Sequence, residues 1–483
     1  MNKIVNNSLL YTLQIGITGF LMLILISIFS NYLTPSDLGV FVLAQVYSGI
    51  AVGIANFGML IGYERNFFIF EKSQLDSARL TSTAVIFVTF NLIVLVVLLY
   101  IFQPKIADLI FDNKPPDNML MIVLIGASVS SISQYYLTFL KNTGMALSYV
   151  KHSILSPIIY FVVSILLMTQ FDLGLMSMAY GWSVSNLILI ISLFIAFRKS
   201  LIICMDFKML KDMLKISLPL TPRVFFGVIN AHLDKIILDI VGSTALVGAY
   251  HIGNTFSLTI FQFSTALGKV FQPELYRKLF AKKHIENPDE INNYMLPFFY
   301  ISIFMALVVM IFSKEIINAF ISSNYSDVIP VTIILSLYYA FLFFGKMTGT
   351  QLIYAKKTHI TTLLMFLGMA INIGLNIPFI MMWGIIGAAW ATTISGILTI
   401  YIGYFVAQKY AKIIWLWRTI FLVYSIFILG AVFALIEYSG LITLSSYISI
   451  MIKLLIIMIY FIVGLKINIF KIIQFKKLLK IWP

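Results

Sequence analysis

The feature that most constrains this chain is a run of about twenty apolar residues that recurs along its whole length. An α-helix needs roughly 20 residues to cross a hydrocarbon core of about 30 Å, and backbone amides in lipid must pair within their own segment. Repeated runs of this length therefore predict an all-α integral membrane protein. Composition agrees: 60% of the 483 residues are hydrophobic and 11% charged, whereas soluble domains carry about 25% charged residues. The first run, Ser8 to Ser30, follows Lys3. It is too long for the apolar core of a signal peptide and "NYLTPSDLG" lacks a small-x-small cleavage site, so it reads as an uncleaved span.

Hydropathy centres and charged or Pro/Gly breaks give about fourteen transmembrane helices, near residues 19, 50, 92, 129, 161, 185, 227, 256, 304, 339, 370, 396, 427 and 455. The loops between them are too short for a soluble domain. With a cytoplasmic N-terminus, the even-numbered loops and the two termini hold roughly 25 of the 33 Lys and Arg. The outward loops hold about three (Lys105, Lys114 and Lys314) and the spans about five. The net charge of +14 is thus a topology signal rather than a nucleic-acid footprint, and both termini are expected in the cytoplasm. The tail "KINIFKIIQFKKLLKIWP" alternates Lys with apolar residues and suits the anionic leaflet, chiefly as a basic topology anchor.

An internal repeat organises the spans. "TPSDLGVFVLAQ" and "GSTALVGAYHIGN" are similar turns feeding spans two and eight, with Gly39 matching Gly248 at an offset of 209. "DLGLMSMAYGWSVS" and "MWGIIGAAWATTIS" feed spans six and twelve, with Gly174 matching Gly384 and Ser185 matching Ser395 at an offset of 210. Six helices separate the copies, so the repeat is parallel. The expected architecture is two pseudo-repeated six-helix lobes, 1–205 and 206–412, followed by 413–483, which holds a C-terminal helix pair and the basic tail.

Two parallel lobes in a membrane suggest alternating access around a polar cavity. Intramembrane ionisable groups usually face such a cavity. At 100° per residue, Gly227, Asn230 and Asp234 each lie within about 40° of Arg223 on span seven. His232 points away and Lys235 to the flank. His251, Thr255, Gln262, Thr265 and Lys269 make a second stripe on span eight. Lys346 sits near the end of span ten, and Glu64 and Arg65, at the end of span two, read as an interfacial ion pair. Pro219 and Pro222 read as a break near the start of span seven, which would leave Arg223 at an interface. The competing readings are snorkelling for Arg223, Lys235 and Lys269, and a packed histidine for His232.

A cationic, acid-poor set favours an anionic ligand, and the planar fork of Arg suits phosphate. The sequence has no P-loop, no nucleophile elbow, no zinc-binding His-Glu-x-x-His and no pair of carboxylates placed for acid–base work. A transporter rather than an enzyme is therefore expected, with no cofactor, driven by an ion or proton gradient, the membrane potential or the substrate gradient. Asp234 and His251 are the candidate coupling residues. The five histidines are scattered without metal-ligand spacing, and the single Cys204 excludes an internal disulfide.

The stretch Ser217 to Lys278 resembles the mid-chain signature of the Wzx-type polysaccharide flippases of the multidrug/oligosaccharidyl-lipid/polysaccharide exporter superfamily. The elements that carry the resemblance are its Leu-Pro start, the Asp of "LDKIIL", the Gly-x-Tyr of "VGAYHI" and the Pro of "FQPELY". "YLTPSDLGVFVLAQ" and "FGMLIGYER" are similar to the family's first outward turn and second-span end. The resemblance implies translocation of an undecaprenyl-diphosphate-linked oligosaccharide, for O-antigen or another surface polysaccharide, across the bacterial inner membrane. It makes Arg223 and Lys346, then Lys269 and Arg65, candidate diphosphate contacts, with Asn230 on the same pathway. A lipid-linked oligosaccharide, membrane lipids, and a polysaccharide polymerase with its chain-length regulator would be the partners, and nucleic acid would not. The first span carries no Arg or Lys after Lys3, a departure from the lipid II flippases. A cation-coupled multidrug exporter and a polysaccharide polymerase are the alternatives.

Overall fold

The computed structural model describes residues 2–70, 73–111, 115–198, 202–280, 288–325, 327–442, 444–467 and 469. Its regular elements are fifteen α-helices and a 3-10 turn, with no strand among the described residues. In order they are α1 (Asn2–Tyr32), α2 (Pro35–Ala55), α3 (Met59–Phe70), α4 (Gln74–Ile110), α5 (Met119–Asn142), α6 (Ala146–Thr169), α7 (Met176–Phe197), α8 (Phe207–Val241), α9 (Thr244–Phe280), α10 (Pro288–Ile311), α11 (Ser313–Phe320), α12 (Val328–Tyr354), α13 (Thr358–Tyr410), α14 (Trp417–Ser439) and α15 (Ser446–Lys466). Eleven are long and apolar enough to cross a membrane. α13, at 53 residues, is two spans. α8 and α9, at 35 and 37 residues, are long enough but carry more polar groups. Together these give the fourteen spans expected of an all-α multi-pass membrane protein. The basic tail beyond residue 469 lies outside the described residues.

Two compact units divide the chain by contacts, one of Phe20–Gly248 and one of Met1–Gly19 with Ala249–Pro483. This division concerns contacts, whereas the 205/206 lobe boundary concerns repeated topology, which contacts do not address.

In the N-terminal unit, Thr34 caps α2 through a capping box, receiving the Asp37 N–H while Asp37 accepts from the Thr34 N–H at 3.0 Å. Span two then breaks after α2, where Phe57 and Gly58 have φ of +48° and +62°. Asn56 holds the break, donating to Ser131 Oγ at 2.9 Å and accepting from the Tyr135 hydroxyl. α3 resumes the path and packs on α8. That contact needs glycine, because a Cβ on Gly62 would meet Ser217 Oγ and the Met213 carbonyl.

The expected break at Pro219 and Pro222 is absent: α8 runs unbroken through both prolines. Each ring removes one N–H donor to the preceding turn. Nearby hydroxyls add local bonds, with Ser217 Oγ donating to the Met213 carbonyl at 2.9 Å and Thr221 Oγ1 to the Ser217 carbonyl at 3.0 Å. Neighbouring helices and Ser/Thr hydroxyls are what let membrane helices keep prolines. At 35 residues α8 is about 52 Å long, more than the membrane needs, so Arg223 stands well inside the helix.

The glycines of the repeat have matched geometry. The first turns of α2 and α9 cross within the N-terminal unit: a Cβ on Gly39 would strike the Thr244 carbonyl, and one on Gly248 would strike the Pro35 carbonyl. Pro35 and Gly39 map onto Thr244 and Gly248 at the same 209-residue offset, so the contact is self-complementary. Gly174 and Gly384 both have positive φ, +49° and +55°, and Gly384 kinks α13 into its two spans. Nine residues after each, a hydroxyl crosses to a neighbouring helix: Ser183 Oγ to the Ile122 carbonyl at 2.7 Å, and Thr393 Oγ1 to the Ile334 carbonyl at 3.0 Å.

In the C-terminal unit α12 packs along α13, and α10 against α12, α14 and α15. Tyr300 of α10 and Tyr460 of α15 stack at 4.4 Å, and each hydroxyl donates to the other's carbonyl at 2.7 Å. A buried charge cluster joins α11, α14 and α15. The fully buried Lys453 bonds Glu315 at 2.5 Å and Glu437 at 2.8 Å, and Glu437 also accepts from Lys314 at 3.2 Å and Ser449 at 2.7 Å.

Candidate functional site

α9 and α12 run parallel and are joined between residues 253–265 of the one and 331–346 of the other. Near their starts, Ser257 Oγ donates to the Thr332 carbonyl at 3.0 Å, and Gly253 lies against Val331 without room for a Cβ. Further along, the Tyr339 hydroxyl donates to Asn254 Oδ1 at 2.8 Å, and the rings of Phe261 and Tyr339 lie 6.2 Å apart. The contact ends at Lys346, whose Nζ donates to Thr265 Oγ1 at 2.9 Å and Ser264 Oγ at 3.3 Å and sits 5.1 Å from the Phe261 ring centre. Thr265 in turn donates to the Phe261 carbonyl, its i−4 neighbour, which orients its oxygen as an acceptor toward the ammonium.

Lys346 is half-buried, and no carboxylate lies within ion-pair distance of it among the described residues. It is eight residues from Tyr354 at the end of α12, about 12 Å of helix, and its amine points at α9 rather than at that end. One turn further on, Gly349 would meet nothing within 4 Å if it carried a Cβ. The amine of Lys346 is thus held by neutral hydroxyls and a π face. Two hydroxyls and a ring orient a cation without neutralising it, so the position keeps its attraction for an anion.

The sequence-based candidates fall in both units. In the N-terminal unit, Arg223 and Asn230 are exposed on α8, and Gly227 between them faces open space. Among the described residues Arg223 has no ion-pair or hydrogen-bond partner. Asp234 is half-buried, within electrostatic reach of Lys235. Arg65 is exposed on α3. Its expected pairing with Glu64 is corrected: Glu64 accepts from Lys141 of α5 at 2.6 Å, across 77 residues. Adjacent residues on a helix point about 100° apart, and Lys141 stands on the side that Glu64 faces.

In the C-terminal unit, His251 is half-buried one turn before Thr255, whose hydroxyl bonds its carbonyl at 2.7 Å. Thr265 of the same stripe meets Lys346, so two features read separately in the sequence join at one place. The Lys269 side chain lies outside the described residues. Sequence reasoning missed Phe261, Tyr339 and Ser264 as neighbours of Lys346; in an apolar span an aromatic residue carries no mark of the partner it faces. It also missed Lys453, whose acidic partners Glu315 and Glu437 lie on two other helices. No group of three or more His, Cys, Asp or Glu able to hold a metal occurs among the described residues.

The sequence profile described as polysaccharide biosynthesis protein matches residues 28–330. No curated protein sequence is significantly similar to the chain. Among solved structures, the lipid II flippase MurJ in an inward closed conformation is similar at a TM-score of 0.71 and 18% identity, covering 94% of this chain and 98% of its own. A MATE transporter from Vibrio cholerae is similar at 0.58 and 14%, covering 85% and 98%. A superfamily transporter from Pyrococcus furiosus, in a report of reversed binding-pocket polarity, is similar at 0.59 and 15%, covering 84% and 95%. At these identities the likeness is one of fold, and it is to transporters and flippases rather than to enzymes.

Proposed function

Because the chain belongs to the polysaccharide biosynthesis protein family, we propose that it is a flippase for undecaprenyl-diphosphate-linked oligosaccharide repeat units, serving O-antigen or another surface polysaccharide. It would work in the bacterial inner membrane with both termini in the cytoplasm, by alternating access between its lobes. The observation that carries this reading is Lys346, an intramembrane cation held by hydroxyls and a ring without a counter-charge among the described residues. A diphosphate supplies the missing negative charge, and a flippase needs a contact that the head group can take up and leave. The exposed Arg223 of α8, whose planar fork suits a phosphate, is proposed as a further residue of the pathway. Asp234 and His251 are proposed as coupling residues. A polymerase and a chain-length regulator would take the product on the outer face.

The test begins with deletion of the gene in a strain without a substitute flippase. Intact lipid-linked repeat units should accumulate on the cytoplasmic face. Their normal arrival on the outer face would refute the reading. Lys346→Gln and Arg223→Ala should block export while the protein inserts and accumulates normally, and full surface polysaccharide from either variant would remove that residue from the pathway.

A further inference from the structure

The strip beyond Lys346 has a chemistry of its own. From Thr265 back to Asn254, α9 and α12 present in order the Lys346 amine, the Phe261 ring, the Tyr339 ring and the Asn254 amide. Eleven residues of helix are about 16 Å, longer than one sugar ring. Phe261 is 37% exposed although its neighbours Ser264 and Tyr339 are buried. Asn254 is half-buried, and its Oδ1 accepts from the Tyr339 hydroxyl, a bond that does not use the two amide N–H donors.

We infer that Phe261, backed by Tyr339 and completed by Asn254, is a carbohydrate subsite that holds the first sugars of the head group while Lys346 holds its phosphate. A pyranose has C–H-rich faces that suit the electron-rich face of an aromatic ring, and a rim of hydroxyls that needs amide or hydroxyl partners. A bare polyprenyl chain would use the ring but has nothing for the amide, and a free phosphate would use Lys346 alone. The order of groups also sets a direction. With the Thr244 end of α9 outward, the sugars lie outward of the phosphate, so the oligosaccharide leads and the lipid anchor trails. This inference rests on the proposed role of Lys346 and adds residues for the sugars.

The test is a binding measurement on the full-length protein in nanodiscs. Three lipids serve as probes: undecaprenyl diphosphate without sugar, the lipid extracted from cells blocked after the first sugar, and the complete lipid-linked repeat unit. The parent protein should bind the two sugar-bearing lipids more tightly than the bare one. Phe261→Ala should shrink that ratio by about tenfold, the worth of one stacked ring. Asn254→Ala should shrink it less, and Phe261→Trp should preserve it. Lys346→Gln should weaken all three lipids together and keep the ratio. A parent protein indifferent to the sugars, or a Phe261→Ala protein that keeps the full ratio, overturns the subsite while leaving the flippase reading intact. Unchanged binding of all three lipids by Lys346→Gln overturns the phosphate contact and the subsite with it.

Discussion

Replacing Lys453 by methionine is the most informative stability test, because the side chain is fully buried with two carboxylates on it. Methionine fills a similar volume, so the change removes the charge more than the packing. It leaves Glu437, whose side chain is 6% exposed, with only Lys314 and Ser449. Removing one partner of a buried ion pair costs about 3–5 kcal/mol, since the other charge stays buried without compensation. Two observations place the cost at the lower end: Glu437 keeps a bond to Lys314, and the Glu315 side chain is 34% exposed and can turn to water. A loss of about 3 kcal/mol corresponds to a fall of roughly 6–12 °C in melting temperature for a unit of about 250 residues. Heating the detergent-purified protein in steps and measuring the monodisperse fraction by size exclusion reads this shift. The double variant Lys453→Met/Glu437→Gln removes the stranded charge and should recover more than half of the loss, because replacing both partners is far less costly than removing one. A Lys453→Met protein that melts with the parent, or a double variant less stable than the single one, would refute the reasoning.

Other predictions concern packing. Gly248→Ala should lower the yield of folded protein, since its Cβ would strike the Pro35 carbonyl, whereas Gly49→Ala, which faces nothing within 4 Å, should be neutral in the same size-exclusion assay. Tyr300→Phe and Tyr460→Phe should each cost about 0.5–1.5 kcal/mol by removing one buried hydrogen bond to a helix carbonyl. The double variant should cost less than their sum, because the two bonds share one geometry; strict additivity in the melting data would argue against a coupled clasp. Glu64→Gln should change stability by less than about 1 kcal/mol, because both partners of the Lys141 pair are largely exposed, and a large shift in melting would contradict that.

What the sequence disclosed divides along physical lines. Helix number and position follow from local hydropathy, and all fourteen span centres fall within helices, including α8 and α9, whose polar residues mark them as unlike lipid-facing spans. The paired glycines were visible because each answers a local demand, a positive φ at Gly174 and Gly384 and a close crossing at Gly39 and Gly248. The prolines of α8 misled because the cost of a missing donor depends on nearby hydroxyls and on packing against α3, neither of which is a property of the proline itself. The Lys346 neighbourhood was half visible: a lysine inside a span is conspicuous, but Phe261 and Tyr339 are two aromatic residues among 72 Phe, Tyr and Trp. The Lys453 cluster was not visible, because it forms only when three helices pack: Glu315 is 138 residues from the lysine, and Glu437 sits on a separate helix.

The crossing of Gly39 and Gly248 has a bearing on ancestry. A contact that maps onto itself when the two repeats are exchanged is the kind that one half-length chain makes with a second copy of itself. In such a homodimer a single mutation at the ancestral glycine would have added a methyl group to both sides of the crossing at once. In a single chain the two sides are independent, so a mutation at Gly39 or Gly248 reaches one side of the crossing only. Asymmetry in the charges and aromatics of the two halves could then accumulate around a joint that stayed symmetric.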